Sequence, residues 1–465
     1  MTHFTVESFD EQNIDKRVIL RLINQHIAYA ERLHKLHDYY RGNQAIQERT
    51  RTKGAPNNKI TINLAAYISN IATGYFISNP ITYTASTDVD IDPLLIAFDK
   101  AHTDDTDADN AFDTSVYGSA YEYIYAAENA AEVRCKSLTP TNTFLVCDTS
   151  IEERPLFGVY YRIIHDAAKN RKRYVATVCT KHYIYTLNIL DGQRIAQPID
   201  EAPQEHYFGD VPIIEYQNNH ESTGDFEIAL PLLDAYNIVM SDRVNDVQDY
   251  VDAILVIYGS LLSDDSESGE AKKSLRDGKL LEFPDKQTMG AEWLTRQLDQ
   301  NGVEILQKAI AKDIMRMAGV PDFSDENFAS NSSGVAIAYK TLLLEWLTKT
   351  KERYYRQGLR KRIKLFSNYL GFKQIMVDAD SIIPHFSRSL PVNKLETAQT
   401  VAMLGEPKIS ARTLLTMIPG IEDPDAEIAA YDKELAEKAE MQRKLFDIRP
   451  NTPPDDEDEE TGDVE

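Results

Sequence analysis

The chain has little cysteine, little tryptophan and no long apolar run, and each shortage removes a class of protein. Its 465 residues include three cysteines, Cys135, Cys147 and Cys179, with no CxxC pair among them. That usage excludes a disulfide scaffold and a thiolate zinc site, and predicts small buried thiols in a reducing compartment. The longest candidate apolar stretch, Ala253 to Tyr258, is far shorter than the roughly 20 residues a membrane-spanning helix needs. The opening MTHFTVESFDEQN is too polar and acidic for a signal peptide. A soluble chain with no membrane partner is expected. Enzyme fingerprints are missing as well. There is no GxG, no GxxxxGK[ST], no GxSxG and no HExxH, so no dinucleotide, P-loop, serine-hydrolase or zincin signature points to catalysis. Neither a cofactor nor a metal is expected.

Acid is abundant. Asp and Glu number 74 against 50 Lys and Arg, a formal charge of −24. Eight of the last eleven residues are acidic and follow Pro450, Pro453 and Pro454, a composition that predicts a disordered tail. The basic residues cluster instead of scattering, at Arg41 to Lys59, Lys169 to Arg173 and Lys349 to Lys364. Such clusters are either solvated, salt-bridging faces or local contacts for nucleic acid, whose affinity depends on local charge. Asp88, Asp90 and Asp92 imitate the start of a calcium loop, but Pro93 and Asp99 stand where glycine and glutamate are required. The run Asp104, Asp105, Asp107 and Asp109 reads as a solvated loop and helix start, and the His34–His37 pair as surface packing.

Periodicity orders the chain. An amphipathic helix is predicted from Ile14 to Tyr40 with Gly42 as its stop, a shorter one from Asn63 through Tyr75, and another around Asp107 to Val116. From Ala120 to Tyr216 six β-branched or aromatic runs alternate with turns and read as strands. Helix is predicted for Phe226 to Tyr258. A small module with a strand at KLLEFP follows over Gly259 to Arg296, and helix resumes from Leu298 to Ala318. Val335 to Leu370 contains no proline and one interior glycine, Gly358. It reads as a single helix on the order of 54 Å long. Apolar residues (Val335, Tyr339, Leu342, Leu343, Trp346, Leu347) mark its first half. Basic ones (Lys349, Lys351, Arg353, Arg356, Arg360, Lys361, Arg362, Lys364) mark its second. Met376 to Pro391 reads as extended, and helices complete the chain from Asn393 to Leu445. The expected fold is α+β. A small module held on two antiparallel helices, then a polar loop and a rod, suits a docking projection better than a pocket enzyme.

Several segments together resemble a known family. NNKITINLAAYISNIATGYFISNPITY, SVYGSAYEYIY and PIIEYQNN are similar to the wing of tailed-bacteriophage portal proteins. STGDFEIALPLLDAYNIVMSDRVNDVQDYVDAILVIYG resembles the first stem helix in the portals of long, non-contractile-tailed phages, and VPDFSDENFASNSSGVAIAYK resembles their tunnel loop and the start of their long helix. The resemblance implies an elongated subunit. Its parts would be an α/β wing (1–225), a first stem helix (226–258), a clip (259–296), a second stem helix (297–320) and a tunnel loop (321–334). A long helix (335–371), a wing return strand (372–392), a helical crown (393–446) and the acidic tail (447–465) would complete it.

It implies a homo-oligomeric ring, typically of twelve, at one capsid vertex of the virion, made in the bacterial host cytoplasm. Double-stranded DNA would pass through it without sequence specificity. Partners would be the terminase large subunit, a head–tail connector or adaptor, the major capsid protein and a scaffold protein. Three groups of residues are then candidates. Phe323, Asn327, Phe328, Ser330, Asn331, Ser332, Ser333 and the hinge Gly334 would form the tunnel loop. Its two phenylalanines either meet DNA, lock neighbouring loops or pack beneath the loop. Lys308, Lys312 and Arg316, at i, i+4 and i+8, would either face the channel or pair with a neighbour's acids. The eight basic residues from Lys349 to Lys364 would meet DNA or bridge to a neighbour's acidic face such as Asp99 to Asp113. The competing readings are a metal-dependent nucleic-acid enzyme using the acids from Asp88 to Asp113, and a virion or scaffold-binding protein that forms no channel.

Overall fold

The computed structural model describes residues 4–7, 9–52, 55–85, 89–127, 132–166, 171–190, 202–251, 254–258, 280–283, 290–294, 300–323, 334–388, 410–416, 418 and 424–447. They divide between two units, Met1–Ser389 and Leu390–Glu465. The first helix, α1 (Lys16–Arg41), begins where the Asp15 carboxylate accepts the Arg17 N–H and ends at Gly42, whose φ of 87° is left-handed. α2 (Leu64–Phe76) is capped by the Asn63 side chain, which accepts the Ala66 N–H. The expected helix around Asp107 is α4 (Thr103–Tyr117), and a further one, α3 (Asp92–Ala101), precedes it, parted by His102 at φ 53°. α3 was not foreseen; Asp92 opens it and Pro93 fits its first turn, so Asp90 and Asp92 lead into a helix.

The strand-rich middle folds into two sheets. β1 (Phe4–Thr5), β5 (Thr143–Cys147), β6 (Pro155–Asp166), β7 (Arg171–Cys179), β8 (Tyr183–Leu190) and β9 (Gln204–Glu205) form one of six strands in that order. β10 (Ile213–Gln217), β3 (Ser119–Ala126) and β4 (Val133–Leu138) form the other. A two-stranded pair joins β2 (Thr82–Thr84) to β14 (Ile383–His385), so the extended stretch after Met376 returns to the start of the fold.

α5 (Leu230–Val251) stops short of its expected end. Residues Ile254–Tyr258 are a strand, β11, between β12 (Leu280–Phe283) and β13 (Gly290–Leu294). The β-branched ILVIY run favours a pleated sheet over a helix end. α6 (Gln300–Ala318) leads to Gly319 at φ 67°, and α7 (Gly334–Phe372) is the 39-residue rod. In the second unit α8 (Ala411–Thr416) and α9 (Pro424–Asp447) are helical. Pro424 is the first residue of α9, where its missing N–H costs nothing. Residues 324–333, 389–409 and 448–465, and with them most of the tunnel loop, the start of the crown and the acidic tail, lie outside the described residues.

Among the described residues four apolar clusters hold the first unit, three of them built on α1 or α7. The start of α1 packs Ile19, Leu22 and Ile23 on Phe144, Phe157 and Val159 of the six-stranded sheet. Its other half, through Leu33 and Leu36, joins Ile68, Phe226, Leu233, Ile314 and Leu344, drawing α2, α5, α6 and α7 to one centre. The third cluster sets Tyr355, Leu359, Ile363 and Phe366 of α7 against Phe98 and Ile214. Each such side chain, fully buried, contributes roughly 1.5–3 kcal/mol. Gly358, alone inside the rod's predicted span, has its reason here. A Cβ at that position would lie 2.4 Å from Tyr216 Cδ1, so the ring of β10 rests directly on the helix backbone.

Candidate functional site

The segment 58–62, within the NNKITIN string, lies along α5 through a polar ladder. The N–H groups of Ile62, Ile60 and Asn58 donate to Asn237 Oδ1 (2.9 Å), Ser241 Oγ (3.0 Å) and Asn245 Oδ1 (2.8 Å). The match is geometric. Four helical residues rise about 6 Å and two residues of stretched chain about 6.6 Å, so every fourth side chain meets every second amide. All three of those α5 side chains are fully buried. Next to the ladder, Arg49 and Arg51 both pair with Asp242. Two arginines of the Arg41–Lys59 cluster are therefore tied within their own chain. The polar residues Asn237, Ser241 and Asn245, spaced four apart on one side of α5, were the readable signal for this strap.

α6 presents Lys308, Lys312 and Arg316 on one exposed side, opposite the buried Ile314. Lys308 pairs with Glu304 at 2.6 Å and Arg316 with Asp313 at 2.9 Å, both on the same helix. The three cations also line, with Lys340, Asp322 and Leu343, an open cleft of about 500 Å³ beside the entry to residues 324–333. Phe323 is 46% exposed, and its N–H donates to the Tyr67 hydroxyl at 3.0 Å. Gly334 is the first residue of α7. Asn327, Phe328, Ser330, Asn331, Ser332 and Ser333 lie outside the described residues.

The eight basic residues of α7 do not share a face. Arg362 is fully buried. Its Nη2 lies 2.6 Å from Asp107 Oδ1 and its Nε 3.0 Å from the Glu122 carboxylate. Tyr216 donates to that Glu122 at 2.5 Å, and Tyr355 to Asp107 at 3.2 Å. Lys351 is buried against Asp225 at 2.7 Å. Lys361 donates to the Ile213 carbonyl at 3.5 Å, and burial pushes its pKa below the usual lysine range. The Arg356 guanidinium stands over the Phe386 ring. For Arg362 and Lys351 the expected bridge to a neighbour or to DNA is corrected: their partners are in the same chain, because the helix turns these positions into the core. Asp107, expected in a solvated run, is buried for the same reason.

Lys349, Arg353, Arg360 and Lys364 remain exposed. Lys349 reaches Glu345 at 3.4 Å. Glu345 and Glu352 are both held by Arg388, just past β14, a clamp that sequence reasoning missed because no local pattern links these residues. His37 stacks on Tyr117 and shares a 2.8 Å hydrogen bond with its hydroxyl, in keeping with a packing role. Among the described residues no group of three or more His, Cys, Asp or Glu side chains is placed to hold a metal ion, and no helix is long and apolar enough to cross a membrane.

Two helices, α5 and α6, flank a small three-stranded sheet in the chain, and a rod that packs on a mixed α/β body follows them. The chain belongs to the family described as phage portal protein, SPP1 Gp6-like, whose model matches residues 19–441. The portal protein of Bacillus phage SPP1 is 24% identical over 269 residues, covering 57% of this chain and 52% of that one. The portal protein of Clostridium phage phiCD119 is 25% identical over 236 residues, 51% of each. The chain thus spans about half the length of the curated relatives it matches. Among solved structures, a chain from the neck of an empty GTA particle aligns with a TM-score of 0.43 at 12% identity, over 77% of this chain and 90% of that one. A chain from the virion of a native gene transfer agent particle aligns at 0.42 and 12%, with the same coverage.

Proposed function

We propose that this chain is the portal subunit of a tailed phage. Copies close into a ring, typically of twelve, at one vertex of the capsid, and genomic double-stranded DNA enters and leaves through the central channel. The observation that carries this reading is the family match running from residue 19 to residue 441, through every part of the fold from α1 to α9. In this reading α5 and α6 are the stem, and the sheet of β11 to β13 is the clip that receives the terminase large subunit and later the head–tail connector. Residues 324–333 serve as the tunnel loop, and Lys308, Lys312 and Arg316 steady DNA at the stem. A channel for a polyanion must not grip it, since each phosphate contact adds affinity. Cations already paired with Glu304 and Asp313 suit a surface that lets DNA slide.

The enzyme alternative loses one of its acids, because Asp107 is engaged by Arg362 inside the core. The test is to image the full chain purified at high concentration and within assembled capsids. A closed ring with a hole wide enough for a duplex, present at a single vertex, is the expected result. A particle in which the chain is spread over the shell, or forms no ring, overturns the reading. Magnesium-dependent DNA cleavage by the purified chain would favour the enzyme instead.

A further inference from the structure

α7 carries one unbroken outward line: Tyr339, Leu343, Trp346, Thr350, Arg353, Gln357, Arg360 and Lys364 are all exposed, at alternating spacings of four and three. Its first part is apolar, with Tyr339 74%, Trp346 59% and the flanking Leu347 47% exposed. Its last part is cationic, and among the described residues no ion pair involves Arg353, Arg360 or Lys364. On α4, Asp104, Asp105 and Asp109 are exposed too, and none of them has an ion-pair partner among the described residues.

We propose, resting on the portal reading, that the outward line of α7 is the seam between adjacent copies of this chain. The apolar part packs on the neighbour, and Arg353, Arg360 and Lys364 pair with Asp104, Asp105 and Asp109 of the next copy. A closed ring needs two different, complementary faces on each subunit, and this chain carries both signs on separate helices. Burial, together with Asp107, pushes the Asp104 carboxyl above its usual pKa; burial and Asp105 do the same to Asp109. Crowded acids of this kind gain from an opposing cation. Exposed apolar side chains also stand on the stem, at Ile238 and Val247 of α5 and Ile305 and Leu306 of α6, and they offer the neighbour's apolar line a counterpart. DNA is the weaker occupant, since the first three residues of the line are apolar or aromatic and the acids would repel phosphate.

The experiment uses full-length chains carrying Arg353→Glu, Arg360→Glu and Lys364→Glu together, Asp104→Lys, Asp105→Lys and Asp109→Lys together, or all six. The fraction of closed ring is read by native mass, and thermal melting of each monomer checks its fold. Each triple is expected to lower the ring fraction about tenfold, with most of it restored in the six-fold variant, because the charges are then exchanged and not lost. Rings that close as readily in both triples as in the parent overturn the seam. An α7 triple that assembles normally but loses salt-dependent retention of duplex DNA overturns it too, and gives the cations to the channel. A parent chain that forms no ring refutes the portal reading itself, and the seam with it.

Discussion

The two sides of α7 carry the same kinds of residue and use them in opposite ways. Inward, Lys351 and Arg362 are sealed against Asp225, Asp107 and Glu122, and Tyr355 and Phe366 complete the core between them. Outward, Tyr339 and Trp346 stand in water with Arg353, Arg360 and Lys364 beyond them. Composition does not separate the two; phase does. A residue's distance from the core side, counted in helical turns, decides whether a cation fastens the fold or waits for a partner.

The sharpest way to break that contrast is at Arg362. Arg362→Met leaves two carboxylates buried without their cation and is expected to cost about 3–5 kcal/mol in urea unfolding. Adding Asp107→Asn and Glu122→Gln should recover a large part of it. A comparable demand falls on buried His26, whose imidazole is held by burial at a pKa of about 4 while its Nδ1 sits 2.9 Å from the Tyr161 hydroxyl. The folded-state pKa lies below the unfolded one, so this contribution is complete above about pH 6.5. It is lost as pH falls toward 4, by up to about 3 kcal/mol. His26→Met should flatten that part of the stability profile.

Gly358→Ala tests the inward side without charge. Alanine gains about 1 kcal/mol of helix propensity. Its Cβ meets Tyr216, and crowding of that kind costs roughly 1–3 kcal/mol, so a net loss is expected in thermal unfolding. The smallest effect belongs to the outward side. Arg353→Gln with Arg360→Gln should change monomer stability by less than about 0.5 kcal/mol. The same pair should weaken ring closure measurably, and a large loss of monomer stability would erase the contrast.

Much of this fold was legible in the sequence because its helices announce their ends. Asp15, Gly42, Asn63 and Gly319 stand at or beside the expected boundaries, and six alternating runs became six strands. What stayed hidden depended on contacts across long separations. Ile254–Tyr258 looked like the end of a helix until two distant strands paired with it. Arg362 looked like one of eight surface cations, since its acids lie more than two hundred positions away. Its place three residues after the apolar Leu359 and one before Ile363 was the available hint. The ladder from Asn58 to Ile62 stayed hidden as well, although its partners on α5 are spaced four apart in plain sight.

The central claim is that the outward face of α7 is covered only on assembly, and Trp346 reports on it directly. The chain contains two tryptophans, so Trp293→Phe leaves Trp346 as the only indole, excited selectively on the long-wavelength side of tyrosine absorption. Its fluorescence should be quenched readily by acrylamide in the isolated subunit. In the ring it should shift to the blue and become several-fold less accessible to the quencher, as expected for an indole moved from water into a packed interface. Emission and quenching that are the same in subunit and ring would contradict the account.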